Sequence, residues 1–241
     1  MARVSKDSRQ LVLQAVGPAQ SDTLIHFTSR GENASFTPKV PEQYRQMTAQ
    51  DRLDSILGSG RLYGYPPFGA QQTCVCFSES PPDHLAHLIT DRGFGPWGVV
   101  VTRAGVLKHD GGAVAYVTDD VYTRFAEAGL AHWAVPIREN SQWMHEREWR
   151  APLCEEVNGT VKQYSCFSMA SAHAILIGDP GWRPTPVTTG YANGFTGEQT
   201  YPDDQAAVPV QELPEMWRKS TIWVWNPETQ LVDEYPAGTL T

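Results

Sequence analysis

Apolar residues recur along this chain in short runs, most of which have the length and composition of β-strands. The first run, "TLIHFTS" (residues 23–29), combines Leu24 and Phe27 with β-branched residues that suit a pleated sheet. The same pattern predicts strands at "TCVCF" (73–77), "WGVVVT" (97–102), "AVAYV" (113–117), "HAILIG" (173–178) and "TIWVW" (221–225). These runs indicate a sheet-rich protein.

Helical periodicity lies between several of these strands. In "TAQDRLDSIL", Thr48 is the predicted N-cap of a helix in which Leu53 and Leu57 share one face. In "SPPDHLAHLI", Ser80 is the predicted N-cap and Pro81 falls in the first turn. A short helix is predicted at "RAGVLKH" (103–109) and a further helix at "DDVYTRFAEAGL" (119–130).

The amino-acid composition of the chain changes beyond Pro152. The segment at about 180–220 is rich in Pro, Gly and Thr, which predicts a long loop. A hairpin turning at Asn226 follows it. We therefore predict a single α+β domain over residues 1–241, in which residues 154–241 extend the sheet and no internal boundary is assigned.

Composition and charge limit the partners and the location expected for the protein. The chain has 241 residues, 41% of them hydrophobic, and a formal net charge of −8, so a nucleic-acid partner would need a local basic patch. The apolar runs are too short to cross a bilayer and the first residues lack a signal-peptide core, so we expect a cytoplasmic protein with no membrane partner. The four cysteines fit reduced thiols better than disulfides or a zinc site.

Several matches to known motifs are rejected because the neighbouring sequence does not fit the motif. "GFGPWG" (93–98) follows a predicted helix and precedes a strand, the reverse of a dinucleotide-binding loop, so we interpret it as a turn. "HEREW" begins like the zinc-protease motif, but Trp149 takes the place of its second histidine. No metal is therefore predicted, and no serine-hydrolase elbow or Walker loop occurs in the sequence.

The densest charged segment, "WMHEREWRAPL" (143–153), carries the candidate chemistry and has two interpretations. As a strand, it places Glu146, Glu148 and Arg150 on one face, so that two acids and a base converge. As a helix, it pairs Glu146 with Arg150 on a solvated face, an interaction of about 0.3 kcal/mol with no chemistry. Residue counting slightly favours the helix.

His26 is the unexpected residue of the first strand. A lone histidine in an apolar strand is more often a hydrogen-bonded core residue than a ligand. A functional role for His26 therefore depends on what accompanies it elsewhere in the chain.

His26 belongs to the first of four short motifs that follow one another along the chain. They are "HFT" at 26–28, "LDSILGSG" at 53–60, "CFSESP" at 76–81 and "WMHEREWR" at 143–150. Together they resemble the ADP-ribosyltransferase superfamily, and more closely the DarT-like toxins and the AbiGi-type abortive-infection families of bacteria. The resemblance runs roughly from residue 23 to residue 153.

The resemblance implies a fold of split β-sheets with short helices, in which NAD lies in the cleft between two small antiparallel sheets. His26 and Thr28 would then bind the adenosine or the nicotinamide ribose of NAD. Glu148 would accept a hydrogen bond from the ribose 2′-hydroxyl and stabilise the oxocarbenium-like charge as nicotinamide leaves. A fixed carboxylate facing a developing cation is a strong catalytic device in its own right.

The remaining site residues follow from the same resemblance. Glu146 would orient or deprotonate the acceptor, and Arg150 would pair with an acid or with a pyrophosphate oxygen. Ser78, at the end of its strand, would reach the substrate. Phe77, Tyr63 and Tyr116 are aromatic residues that suit stacking on nicotinamide, although core packing is the favoured role for each of them.

The expected function is that of an NAD-dependent mono-ADP-ribosyltransferase of a bacterial toxin or phage-defence system, which modifies DNA, RNA or protein. Its expected partners are NAD, the acceptor and a neutralising antitoxin. Two alternatives stay open. One is an inactive nucleotide-binding or antitoxin-like interaction module on the same fold, and the other is an NAD glycohydrolase with water as acceptor.

Overall fold

The computed structural model describes residues 19–29, 39–67, 69–139, 143–157 and 160–240. In chain order, the strands of this part of the chain are β1 (Thr23–Phe27), β2 (Arg61–Tyr63), β3 (Cys74–Glu79), β4 (Gly98–Thr102), β5 (Gly112–Ala113), β6 (Ala115–Val117), β7 (Ala134–Pro136), β8 (Glu148–Pro152), β9 (Cys154–Val157), β10 (Thr160–Gln163), β11 (Cys166–Ser168), β12 (Ala174–Ile177), β13 (Val187–Asn193), β14 (Gln199–Thr200), β15 (Ala207–Glu212), β16 (Thr221–Asn226) and β17 (Leu231–Tyr235). The helices are α1 (Glu42–Gln46), α2 (Ala49–Ser59), α3 (Pro82–Thr90), α4 (Arg103–Lys108), α5 (Asp119–Glu127) and α6 (Glu215–Lys219).

One mixed sheet of eight strands dominates the structure, in the order β17-β16-β12-β4-β1-β3-β8-β5. Most neighbours are antiparallel, while β12 and β16 run parallel. The C-terminal part of the chain thus extends the sheet on the far side of β4. The expectation of a sheet-rich α and β fold is confirmed at this level. None of the helices among the described residues has the length and apolarity needed to cross a membrane.

The core covers both faces of this sheet because consecutive residues of its central strands are apolar, as at all four positions of β12 and at Leu24 and Ile25 of β1. Leu24 and Ile175 belong to the larger cluster, which packs against Leu53 and Leu57 of α2. Ile25 and Leu176, one residue further along each strand, belong to the smaller cluster on the opposite face. Continuous apolar runs such as "AILI" therefore mark strands buried on both sides.

The helix start at Thr48 is confirmed, since its side chain and that of Asp51 form a reciprocal capping box. The predicted cap at Ser80 is wrong. Pro81 takes the N-cap position of α3 and Pro82 begins the helix. A residue that precedes a proline is kept out of the helical region, so Pro81 cannot be helical while Pro82 follows it.

The long loop expected at about 180–220 is not what this segment forms. It contains the three-stranded antiparallel sheet β14-β13-β15 and then α6. Many side chains of β13 and β15 are exposed, including Thr188, Val208 and Val210. The segment therefore lacks the apolar alternation by which strands are recognised in a sequence.

The large sheet opens between β1 and β3. These two strands pair only at Leu24 with Glu79 and at Ile25 with Ser78. On its other side, β1 pairs with β4 over all five of its residues, and β3 pairs with β8 over five residues. Beyond Ile25 and Ser78 the ladder between β1 and β3 stops, which leaves a split between two halves of the sheet.

We expect the free energy of unfolding to depend strongly on β12. Ile175 is fully buried, so Ile175→Ala should lower that free energy by about 2–5 kcal/mol through lost burial and a residual cavity. The control Leu231→Ala, in the edge strand β17 where Leu231 is 55% exposed, should change it by about 0.5 kcal/mol or less. Urea unfolding followed by circular dichroism measures both, and equal effects would contradict the assigned burial.

Candidate active site

The candidate residues meet where β3 lies beside β8. In this antiparallel ladder Ser78 is opposite Glu148 and Cys76 is opposite Arg150. Directly opposed side chains project from the same face of a sheet, so these four residues share one face. The strand interpretation of this segment is therefore correct for residues 148–152, and the helix interpretation is wrong.

Glu148 and Arg150 form a buried ion pair on this face. Arg150 Nε donates to Glu148 Oε1 at 3.0 Å, and Arg150 Nη2 donates to Glu148 Oε2 at 2.9 Å. Glu148 is 8% exposed and Arg150 is 4% exposed. Two parallel charge-assisted hydrogen bonds fix the orientation of the carboxylate. Of the two predicted partners of Arg150, an acid is the one observed.

The rest of the Arg150 guanidinium binds backbone carbonyl groups. Its Nη1 donates to the carbonyl oxygen of His132 at 2.7 Å and lies 3.5 Å from that of Ala134. Burial lowers the pKa of Arg150, but the charge and hydrogen bonds of Glu148, together with the nearby Cys76 and Cys74, more than offset this and raise the pKa above its usual value. Arg150 is thus a permanent cation that ties Glu148 to the segment leading into β7.

Tyr116 completes the surroundings of Glu148. The Glu148 backbone N–H donates to the Tyr116 hydroxyl oxygen at 2.9 Å. Burial raises the pKa of Tyr116 to about 12, and the neighbouring charges of Glu148 and Glu146 act in the same direction. The phenol therefore keeps its proton at neutral pH.

Glu146 lies outside the strand, in a short 3₁₀ turn (Trp143–Glu146) that precedes β8. Its backbone oxygen accepts a hydrogen bond from Ser78 Oγ at 2.5 Å, and Ser80 Oγ donates to Ser78 Oγ at 3.2 Å. The expectation that Glu146 shares a strand face with Glu148 is therefore wrong. Arg147, between the two acids, has a left-handed backbone with φ of 45°, which ends the regular strand alternation.

His26 lies beside the split between β1 and β3. Its Nδ1 is 2.9 Å from the carbonyl oxygen of Cys76, and its ring meets Phe77 edge-on at 6.0 Å between centroids. A carbonyl oxygen can only accept, so Nδ1 carries the proton of this bond and Nε2 of the neutral ring is an acceptor. The side chain of His26 thus bridges β1 to β3 where their backbones no longer pair.

The structure does not place every predicted residue on the same face. Ile25 is opposite Ser78, so the next residue, His26, projects from the other face of the sheet. Ser78, Glu148 and Arg150 are brought together, whereas His26 approaches them only across the split. Thr28 is buried, and its hydroxyl donates to the carbonyl oxygen of Trp97 at 3.1 Å.

Arg52 and Glu79 also contribute to this region. Arg52 of α2 donates from Nη1 to the carbonyl oxygen of Thr28 at 2.5 Å and from Nε to that of Tyr44 at 2.8 Å. Glu79 is a buried acid at the end of β3. Arg52 lies in the first strong helix and Glu79 lies within "CFSESP", but neither position reveals its partners in the sequence.

No family model matches the chain, and no curated protein or solved structure matches it. Among the described residues, no group of three or more His, Cys, Asp or Glu side chains is placed to hold a metal ion. The four cysteines are free thiols, and burial raises the pKa of Cys74 to about 12. Function is therefore inferred from the arrangement around Glu148.

We expect strong energetic coupling between Glu148 and Arg150. Arg150→Met leaves a buried carboxylate without its cation, so the free energy of unfolding should fall by about 3–5 kcal/mol. Glu148→Gln combined with Arg150→Met removes both charges and should cost at least about 1 kcal/mol less than the sum of the single changes. Chemical unfolding of the four proteins measures the coupling, and additive effects would show that the pair does not act as a unit.

Proposed function

We propose that this chain is an NAD-consuming mono-ADP-ribosyltransferase of a bacterial toxin or phage-defence system, acting in the cytoplasm on nucleic acid or protein. The observation that carries the proposal is the buried carboxylate of Glu148, oriented by two hydrogen bonds from Arg150 beside the split in the sheet. The motif resemblance in the sequence converges on the same residue. In this proposal the split between β1 and β3 serves as the NAD cleft.

The paired carboxylate retains the capacity to act on a ribose. Arg150 donates one hydrogen bond to each oxygen of the carboxylate and so keeps the group from rotating. In this proposal the ribose 2′-hydroxyl of NAD donates to the carboxylate held in this way. A carboxylate fixed before the reaction stabilises the cation that forms as the bond to nicotinamide breaks, since it needs no reorganisation.

The other residues have distinct proposed roles. Tyr116 accepts from the backbone N–H of Glu148 and Ser78 donates to the carbonyl oxygen of Glu146, so both support the position of Glu148 from the N-terminal side. Glu146 orients or deprotonates the acceptor. In this proposal His26 binds the adenosine or the nicotinamide ribose of an NAD molecule that lies in the split, while its Nδ1 is bound to the carbonyl oxygen of Cys76.

A specific feature also favours a second candidate, a nucleotide-binding or antitoxin-like module without turnover. Both oxygens of Glu148 are paired with Arg150, and a pair of this kind also suits a purely structural site. An NAD glycohydrolase would use the same residues with water as acceptor. The three possibilities differ in what they do to NAD.

The deciding experiment supplies NAD labelled on the adenylate side together with separate pools of DNA, RNA and cell protein. We expect nicotinamide release and transfer of label to one pool, with the release rate lowered about a hundred- to thousandfold in Glu148→Gln because the stabilising charge is lost. Glu228→Gln, at an exposed position in the turn between β16 and β17, is the matched control and should behave as the wild type.

Each alternative has its own outcome in that assay. Release without label on any pool would identify a glycohydrolase. No release from folded protein with any pool would reject the enzyme and favour the binding module. Circular dichroism of Glu148→Gln establishes that any loss of release is not a loss of fold.

His26 is tested by a pair of substitutions. His26→Asn can keep a hydrogen-bond donor near the carbonyl oxygen of Cys76, whereas His26→Ala cannot. If His26 binds NAD, both variants should raise the KM for NAD about five- to tenfold, the equivalent of about 1–1.4 kcal/mol for one lost hydrogen bond. Steady-state kinetics of nicotinamide release measure this, and a normal KM in His26→Asn would limit His26 to a structural bridge.

A further inference from the structure

The segment with the two candidate acids contains an unusual backbone conformation. Arg147, between Glu146 and Glu148, has φ of 45°, a left-handed conformation that residues other than glycine seldom adopt. Such a conformation persists only where the surrounding structure holds it. The contacts of Arg147 should therefore identify what sets the geometry of this segment.

Glu79 makes those contacts from the end of β3. Its backbone N–H donates to the carbonyl oxygen of Arg147 at 3.2 Å, and its Oε2 lies 3.4 Å from Arg147 Nη2. The same Oε2 accepts a hydrogen bond from Trp149 Nε1 at 3.2 Å. Glu79 thus binds the backbone of Arg147, the guanidinium of Arg147 and the side chain of Trp149.

The carboxylate of Glu79 is itself anchored on its other oxygen. Oε1 accepts a hydrogen bond from the backbone N–H of Ser21 at 3.0 Å and lies 3.7 Å from Nη1 of Arg103. Arg103 also faces Asp22, with 3.8 Å between Nη2 and Oδ1. Glu79 is 7% exposed, so it is a buried acid held by donors from three separate segments of the chain.

Ser78 and Glu79 act on the same segment from opposite faces of β3. Ser78 Oγ donates to the carbonyl oxygen of Glu146, whereas Glu79 binds Arg147 and Trp149. Two consecutive residues therefore fix the backbone on both sides of Arg147. The position of Glu146 relative to Glu148 depends on this arrangement.

We infer that Glu79 is a positioning residue that holds Arg147 in its left-handed conformation and thereby sets Glu148, and with it Glu146, for catalysis. This inference rests on the proposed transferase function. Glu79 acts through Arg147 and Trp149 and does not contact the substrate. Its loss should therefore lower kcat while leaving the KM for NAD nearly unchanged.

The first variant is Glu79→Gln. The amide keeps one acceptor oxygen but turns an NH₂ group toward donors that need an acceptor, so the segment should shift. We expect kcat for nicotinamide release to fall about ten- to a hundredfold, as misplacement by a fraction of an ångström to an ångström commonly does, with KM changed less than about threefold. Glu212→Gln, which removes only a surface ion pair with Arg218, is the matched control.

A second pair of variants separates backbone geometry from loss of the guanidinium. Arg147→Gly and Arg147→Ala both remove the ion pair with Glu79, but only glycine adopts the left-handed conformation without steric cost. We expect the kcat of Arg147→Gly to be at least about five times that of Arg147→Ala. Equal kcat values in the two variants, or a wild-type kcat in Glu79→Gln, would overturn the inference.

Hydrogen exchange at residues 144–150 provides a readout that does not depend on activity. Glu79→Gln and Arg147→Ala should speed exchange in this segment relative to Arg147→Gly and Glu212→Gln, while β16 and β17 stay unchanged. If the wild type does not turn over NAD, the proposed function fails, and this local exchange alone decides whether Glu79 positions the segment. Unchanged exchange in Glu79→Gln would reject that role.

Discussion

The buried ion pair between Glu148 and Arg150 is the interaction on which the candidate site depends. Removing two charges from water is costly, and a pair of this kind is weak support for a fold because apolar residues of similar size often serve as well. Here the guanidinium reaches both oxygens of the carboxylate and the carbonyl oxygen of His132. We interpret the pair as a means of holding one carboxylate in a fixed orientation.

The location of the ion pair is the basis for its proposed role. It lies on β8, beside β3, and β3 is the strand that parts from β1 after only two paired positions. His26 spans the parting strands through Cys76. An oriented acid therefore lies one strand away from the split between β1 and β3 that His26 bridges, an arrangement that supports the proposed binding of a ribose-containing ligand.

The sequence predicts the strands that are buried and misses those that are not. Runs such as "AILI" are recognisable because every position is apolar, and the box at Thr48 is recognisable because capping is local. The strands β13 and β15 expose residues such as Thr188 and Val208, so no periodicity marks them. Ser80 fails as a cap because of the steric effect of Pro82 on Pro81.

The site residues likewise include some whose arrangement the sequence predicts and some whose arrangement it does not. Glu148 and Arg150 are predicted as partners on one face by the two-residue period of a strand, and the structure pairs them. Glu146 leaves that pattern because the left-handed Arg147 interrupts the strand, a feature that no residue type announces. The contacts of Glu79 with Ser21 and with Trp149 join segments more than fifty residues apart in sequence, so only the tertiary structure brings them together.

The most direct test of this account is to locate bound dinucleotide on the folded protein. Hydrogen exchange would be compared with and without a carbocyclic NAD analogue, which binds as NAD does but cannot release nicotinamide. The account predicts slower exchange at the end of β1, in β3 near Cys76 and at the start of β8. Unchanged exchange at these strands with the analogue in excess, or protection confined to β13, β14 and β15, would contradict it.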